Sequence, residues 1–318
     1  MVISVVIATI NRREELRETI LAYLAQTHPD VEIVIIDNGS TDGTREMMQT
    51  EFPQVEYMWL PYNMGTHAIN IGFERARGDV FWLSNNDSYP ESNDAFARLA
   101  AFLTEHQHVD IVGSEDIEVR AGNKVYHWHP FDVNIDDMPP DGFTTNLFHG
   151  TGAAVRRRVY EDIGGFWDVF LYEEMDYCAR AIARGYSIRY LPTIRTLHFA
   201  SPNQRVNYER WIMSALNMSR FIWRYFPFWQ AAYRMCLYYP YFFLQGLFYP
   251  ARPIQMLDVM FGMAHQSIRA YRRERTPLTR DQLKQVTMGL SPLKMMWRYI
   301  SEVLQRRLNR RRNNIKSD

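Results

Sequence analysis

Cysteine is scarce in this chain. Of 318 residues only Cys178 and Cys236 carry a thiol, and they are too far apart in sequence to suggest a metal-type cluster. A reducing, cytosolic compartment is the simplest reading. Long uncharged apolar runs are also lacking. The most aromatic stretch, Tyr225 to Pro250, is interrupted by Pro227, Gln230, Arg234, Pro240 and Gln245. No run of about 18 uncharged apolar residues therefore predicts a spanning helix. Met1-Val2-Ile3 enters a strand pattern directly, without the basic and apolar segments of a secretory leader. No repeat of fixed period is present. Gly150-Thr151-Gly152 lacks the third glycine and the following acid of a dinucleotide fingerprint. His106, His108, His127 and His129 lack metal-cluster spacing. Net charge is zero, with 36 Lys and Arg against 36 Asp and Glu, but only as an average. Up to Arg205 there are 17 basic and 30 acidic residues, a net of −13; from Val206 there are 19 and 6, a net of +13. The asymmetry predicts two regions, 1–205 and 206–318, with different partners.

In the first region, apolar strand patterns alternate with helical ones. Val2 to Thr9 reads as a buried strand, followed by a helix over Glu14 to Gln26 with Leu16, Ile20, Leu21 and Leu24 at helical spacing. Strands at Ile33 to Ile36, Val55 to Leu60 and Val80 to Leu83 alternate with helices at Thr44 to about Phe52 and Ala68 to Ala76. Such alternation predicts βαβ units and a mostly parallel sheet. Further on come a helix over Glu91 to His106, a strand with a following edge strand at Val109 to Val119, and strands at Gly150 to Val155 and Ile188 to Leu191. A helix is expected over Asp176 to Arg184, and Asp132 to Thr145 reads as a loop.

Polar residues gather where these strands end, the edge at which open α/β sheets bind ligands. The Ile33 strand stops at Asp37, and Asn38-Gly39-Ser40-Thr41-Asp42-Gly43 supply turn and capping residues. The first strand ends in Thr9 and Asn11, with Arg12 bringing a guanidinium suited to phosphate; Asn11 is equally suited to cap a helix. Asn63-Met64-Gly65 is either a simple turn or a close approach to a ligand. The fourth strand ends in Asn85-Asn86-Asp87. A carboxylate with two amide oxygens is hard ligation suited to Mg²⁺ or Mn²⁺, or else an Asx-type turn.

Together these pieces resemble the nucleotide-sugar domain of family 2 glycosyltransferases, which have the GT-A fold. The resemblance covers residues 2–205 and implies an α/β GT-A domain with a mostly parallel central sheet, followed by a helical C-terminal region. It implies that Thr9, Asn11, Arg12, Asp37, Asn38, Asn63 and Gly65 hold a UDP, dTDP or GDP sugar. Family members usually carry Asp-x-Asp where this chain has Asn85-Asn86-Asp87, a variant associated with a bacterial, rhamnosyltransferase-like subgroup. It leaves Asp87 as the direct metal ligand, with Asn85 and Asn86 beside it. Gly164-Gly165-Phe166-Trp167, then Glu173-Glu174-Met175-Asp176-Tyr177-Cys178-Ala179-Arg180, resembles the family's Gly-Gly-Phe, Glu-Asp and Asp-x-Cys-x-Arg segments. Glu174 stands where the family's catalytic Asp is found, and a carboxylate there takes the proton of the attacking acceptor hydroxyl in an inverting transfer. Glu173 and Asp176 are expected to crowd it and raise its pKa; by themselves, three acids at a helix start also suit the helix dipole. His198 falls where many members carry a histidine that ligates the metal or contacts the diphosphate. The acceptor implied is a glycan or lipid-linked glycan in bacterial surface polysaccharide assembly. Two other classes remain: a nucleotidyltransferase, which would carry a glycine-rich basic loop that Thr9 to Glu15 lacks, and a non-catalytic sugar-nucleotide or membrane-surface module.

From about Asn207 the chain turns to long helical patterns rich in Tyr, Phe, Trp, Met and Arg, and ends in the basic run Arg306 to Lys316. Aromatics interleaved with arginine suit a segment lying on an anionic membrane leaflet, at the inner face of the plasma membrane. A helical cover for the sheet, or a homo-oligomer contact with arginine stems snorkelling, fits the same residues. No nucleic-acid recognition motif accompanies the positive charge.

Overall fold

The computed structural model describes residues 1–126, 139, 141–167, 171–200, 207–246, 253–287 and 293. His127, His129, much of the Asp132 to Thr145 loop and the Arg306 to Lys316 tail lie outside the described residues. The chain forms two compact units, Met1–Arg205 and Val206–Asp318.

The first unit is an α/β structure with one ten-stranded sheet. The strands β1 (Ile3–Thr9), β2 (Val31–Asp37), β3 (Glu56–Trp59) and β4 (Val80–Asn85) alternate with helices α1 (Arg13–Leu24), α2 (Thr44–Glu51) and α3 (His67–Arg75). β5 (Ser88–Pro90), α4 (Ala95–Glu105), β6 (Ile111–Glu118), β7 (Lys124–Tyr126) and β8 (Phe143–Thr144) follow. β9 (Ala153–Arg156), α5 (Arg157–Ile163), α6 (Glu173–Ala183) and β10 (Ile188–His198) complete the unit. The strand order is β3-β2-β1-β4-β9-β6-β10-β5, with β7 on β6 and β8 on β10. β3, β2, β1 and β4 are parallel, as are β6 and β10, whereas β9 runs antiparallel between β4 and β6.

The sheet is buried on both faces, which explains why its strands read as continuous apolar runs. Ile3, Val5 and Ile7 join a core with Leu16, Ile20, Met48, Trp82, Phe96 and Leu99. Val6 turns the other way, against α3, where a Cβ on Gly72 would come within 2.3 Å of Val6 Cγ1. Only glycine lets that helix sit so close to β1. On the same side Phe73 stacks on Phe81, with ring centroids 4.8 Å apart.

Several elements differ from the sequence expectation: α4 starts at Ala95 rather than Glu91, Ser88–Pro90 and Phe143–Thr144 are short strands, and Arg157–Ile163 is a helix. Two differences bear on the site. β10 does not stop at Leu191; after a register shift between Leu191 and Arg195 it continues to His198, pairing Thr196 with Asp116 and His198 with Glu118. α6 begins at Glu173 rather than Asp176, so both glutamates lie in its first turn.

The second unit comprises α7 (Asn207–Tyr225), α8 (Phe228–Gly246), α9 (Pro253–Arg273) and α10 (Arg280–Thr287). Its interior is built from Trp211, Phe221, Tyr225, Met235, Phe242 and Met263. Glu274 accepts from Arg220 Nε at 2.7 Å and Nη2 at 2.9 Å, a bidentate clamp between α7 and the end of α9. No described helix is long and apolar enough to cross a membrane.

Candidate active site

The sheet order reverses at β1, which is flanked by β2 on one side and β4 on the other. At such a switch point the helices leave in opposite directions and a crevice opens at the carboxyl ends of the strands. Thr9 ends β1, Asn85 ends β4 and Asn86-Asp87 follow it, so both motifs lie at that crevice. Asn86 Nδ2 donates to Thr9 Oγ1 at 3.0 Å, tying the two strand ends together.

The loops after β1 and β2 are zipped to each other. Asn11 does not cap α1; it takes a left-handed conformation with φ 50°. Its Oδ1 accepts from the Thr41 amide at 2.8 Å, and its own amide donates to Ser40 Oγ at 2.9 Å. Asp42 instead receives the Arg13 amide at 2.9 Å. Arg12 makes an ion pair with Glu15 at 3.2 Å. Asp37 is 0% exposed. Its Oδ1 accepts from the Ser40 amide at 2.8 Å and its Oδ2 from the Tyr57 hydroxyl at 2.7 Å. The carboxylate thus shapes the turn after β2 from beneath instead of facing solvent. Asn38 Oδ1 accepts from the Met64 amide at 3.0 Å, and Asn63 Oδ1 from the Gly65 amide at 2.8 Å. These two side chains fix the Asn63-Met64-Gly65 turn, whose Gly65 has φ 57° and open space around it.

A cleft of about 180 Å³ is lined by Gly65, Thr66, Asn85, Gly150, Glu173 and Glu174, among others. It brings together residues from the third-strand turn, the end of β4 and the start of α6. Glu174 reaches it because position 150 has no side chain: a Cβ there would stand 3.0 Å from Glu174 Oε1. Glu173 shares the cleft, and its Oε2 is buried without a hydrogen-bond partner. It is Glu173 whose carboxyl is pushed up to about 7, by burial first and by the charge of Glu174 second. Asp176 does not join them. It is buried and paired with Arg180 at 2.9 Å, while Arg180 also donates to the carbonyls of Ile163 and Gly165. Asp176 therefore anchors α6 to the Gly164-Gly165 turn. Asn70 of α3 clamps the same segment, accepting from the Phe166 amide and donating to the Phe166 carbonyl, both at 2.7 Å.

Asp87 and His198 form a separate buried pair, with His198 Nε2 3.5 Å from Asp87 Oδ1. The other imidazole nitrogen lies 3.5 Å from Glu118 Oε2 and 3.8 Å from Asp116 Oδ1. Burial alone would lower the His198 pKa, but the bond to Asp87 and the charges of Asp87, Asp116 and Glu118 outweigh it and raise it. His149 Nδ1 holds Asp116 Oδ2 at 2.8 Å. Asp116 Oδ1 and Glu118 Oε1 are buried without a hydrogen-bond partner. Hard carboxylate oxygens beside an imidazole, with acceptor capacity unspent, fit Mg²⁺ or Mn²⁺. Among the described residues no three His, Cys, Asp or Glu side chains already stand at metal-binding spacing. A cation at Asp87 and His198 would take its remaining ligands from phosphate and water, the usual habit of Mg²⁺.

The motifs did not reveal Asp116, Glu118, His149, Asn70 or Tyr57. The alternation Glu115-Asp116-Ile117-Glu118 at the end of β6 carried a signal, because it puts Asp116 and Glu118 on one face of a strand at the ligand-binding edge.

An α/β sheet with a polar switch-point crevice, acids at a helix start and an acid–histidine pair define a GT-A glycosyltransferase framework. The glycosyl transferase family 2 model matches residues 4–164, and the glycosyl transferase family group 2 model matches residues 87–270. The chain belongs to glycosyl transferase family 2. It is 24% identical over 212 residues to the probable glycosyltransferase YdaM of Bacillus subtilis, covering 61% of this chain and 50% of YdaM. It is 24% identical over 199 residues to the O-antigen chain rhamnosyltransferase WbaN of Salmonella anatum, covering 60% of this chain and 63% of WbaN. The chain thus spans about half to two thirds of these relatives' length. The mannosyltransferase PcManGT from Pyrobaculum calidifontis, solved with GDP-Man and Mn²⁺, shares the fold with a TM-score of 0.54 at 18% identity. That likeness covers 95% of this chain and 80% of PcManGT.

Proposed function

We propose that this chain is an inverting glycosyltransferase that moves a hexosyl or deoxyhexosyl group from a nucleotide-diphosphate sugar to a hydroxyl of a glycan or lipid-linked acceptor. Its setting would be bacterial surface polysaccharide assembly, in the cytoplasm at the inner face of the plasma membrane. The observation that carries the reading is the placing of Glu174 and Glu173 in one cleft with Asn85 and Gly65. WbaN, named for rhamnosyl transfer to an O-antigen chain, and PcManGT, solved with GDP-Man, support the donor class.

The nucleotide lies along the loops built by Thr9, Asn11, Arg12, Asn38, Asn63 and Gly65, with Asp37 supporting them from below. Asp87 and His198 would hold Mg²⁺ or Mn²⁺, a cation that would supply charge neutralisation for the diphosphate leaving group. Glu174 takes the proton from the acceptor hydroxyl as its oxygen attacks the anomeric carbon, and direct displacement inverts that centre. Burial and the neighbouring Glu174 push the Glu173 carboxyl up to about 7, because two adjacent charges are disfavoured there. Asn85 and Asn86 shape the floor of the site, Asn86 through Thr9.

A thermal-shift panel of UDP, dTDP and GDP sugars with Mn²⁺ tests this reading. A donor at a hundred times its Kd stabilises the fold by about 2.7 kcal/mol. One nucleotide class should raise the Tm in a Mn²⁺-dependent manner; a flat response to every class would contradict the proposal.

A further inference from the structure

The second unit carries an exposed aromatic surface. Four aromatic side chains meet where the end of α7, the start of α8 and the end of α9 converge. Trp223 packs against Phe228 and Tyr271, each with ring centroids 5.7 Å apart. Phe228 in turn meets Trp229 at 5.0 Å and Tyr271 at 5.9 Å. These rings are not a core. Trp229 is 81% exposed, Phe228 41% and Tyr271 42%. The exposed face continues along α8 through Tyr233 and along α9 through Ile268.

The chemistry around the rings selects one occupant. Arg275 stacks on Tyr271, its guanidinium carbon 4.6 Å from the ring centroid. Arg272 and Arg273 are exposed on the last turn of α9. From Arg269 to Lys284 there are six basic residues against two acids, and one of those acids, Glu274, is taken up by Arg220 and Arg269. A protein partner with an apolar groove would match the rings but not this excess of cations. An anionic bilayer matches both, since Trp and Tyr settle at headgroup level and arginine pairs with lipid phosphates. No described helix is suited to crossing, so the contact would lie in the interface plane.

We infer that Trp223, Phe228, Trp229 and Tyr271, rimmed by Arg272, Arg273 and Arg275, form the face by which the helical unit docks on an anionic lipid surface. This deepens the membrane location given in the proposed function, and it is testable without donor or acceptor, so its failure is separable from failure of the transferase reading.

The full-length protein is mixed with phosphatidylcholine vesicles with and without phosphatidylglycerol, and the sedimented fraction is measured. Binding should require phosphatidylglycerol and weaken with added salt. Tryptophan fluorescence should be quenched by lipids brominated on the acyl chain. Phe228→Ser with Trp229→Ser, both exposed positions, should lower the partition coefficient by about tenfold or more and abolish the quenching. Arg272→Glu with Arg273→Glu should lower it by at least about 25-fold, at about fivefold for each of the two positive charges lost, and circular dichroism confirms that each variant is folded. Failure to bind phosphatidylglycerol vesicles would overturn the inference, as would binding that both double variants retain. A change from dimer to monomer in Phe228→Ser/Trp229→Ser, with vesicle binding intact, would assign the face to a second copy of the chain and overturn it too.

Discussion

His198 Nε2 stands 3.5 Å from Asp87 Oδ1, although the two residues lie on opposite sides of the sheet's sequence, one after β4 and one at the end of β10. The juxtaposition follows from β10 running past its register shift, which sets His198 opposite Ser88 of β5, the residue next to Asp87. If this pair holds the cation, Asp87→Ala should weaken Mn²⁺-dependent donor binding by at least about tenfold, the scale on which metal-site changes act. Calorimetric titration with and without Mn²⁺ measures it. Equal donor affinity in wild type and variant at saturating Mn²⁺ would remove Asp87 from the metal site.

Glu173 supplies a pH test. Its folded pKa of about 7 lies above the ordinary glutamate value. Between about pH 4.3 and about pH 7 the folded protein holds a proton that the unfolded chain has lost, so this group's contribution to stability declines as pH rises through that window. Glu173→Gln should flatten the decline. Urea midpoints at the two ends of the window check it, and an unchanged slope in the variant would count against Glu173 as its source.

Asp176 and Arg180 are buried together, and breaking one side leaves a lone charge. Arg180→Met should cost about 3–5 kcal/mol. Adding Asp176→Leu to that variant should recover a large part of the loss. Chemical denaturation of the three variants tests the coupling, which should be far from additive.

Tyr57→Phe removes the hydroxyl that donates to the wholly buried Asp37. A loss of about 1–3 kcal/mol is expected from the unsatisfied oxygen. Donor affinity should fall as well, because the turn that Asp37 and Ser40 define is zipped to the β1 loop.

Much of the framework was legible in the sequence, because βαβ units leave continuous apolar runs broken by helical spacing. Strands β1 to β4 and the crevice at their ends follow from local pattern alone. β5 was not expected, and the strand read at Gly150 to Val155, which is β9, gave no sign of running antiparallel. β9 is four residues long and is defined by partners far away in sequence, Val80 to Leu83 on one side and Ile111 to Gly113 on the other. The role of Asp37 was hidden for a similar reason. Its position at a strand end pointed to a ligand, whereas its saturation comes from Tyr57 on the neighbouring strand. Asp176 was read as crowding Glu174 because of its proximity in sequence, but it pairs with Arg180 one turn further on. Glu174 was identified by resemblance, and Gly150 opposite it shows why the carboxylate has room in the cleft.

The most direct test of the central claim is acceptor-dependent transfer of labelled sugar by wild type and Glu174→Gln, with donor affinity measured on the same preparations. Transfer should fall by about 10²–10⁴-fold, the contribution of a general base, while donor Kd stays within about threefold. Transfer by Glu174→Gln at close to the wild-type rate would contradict it.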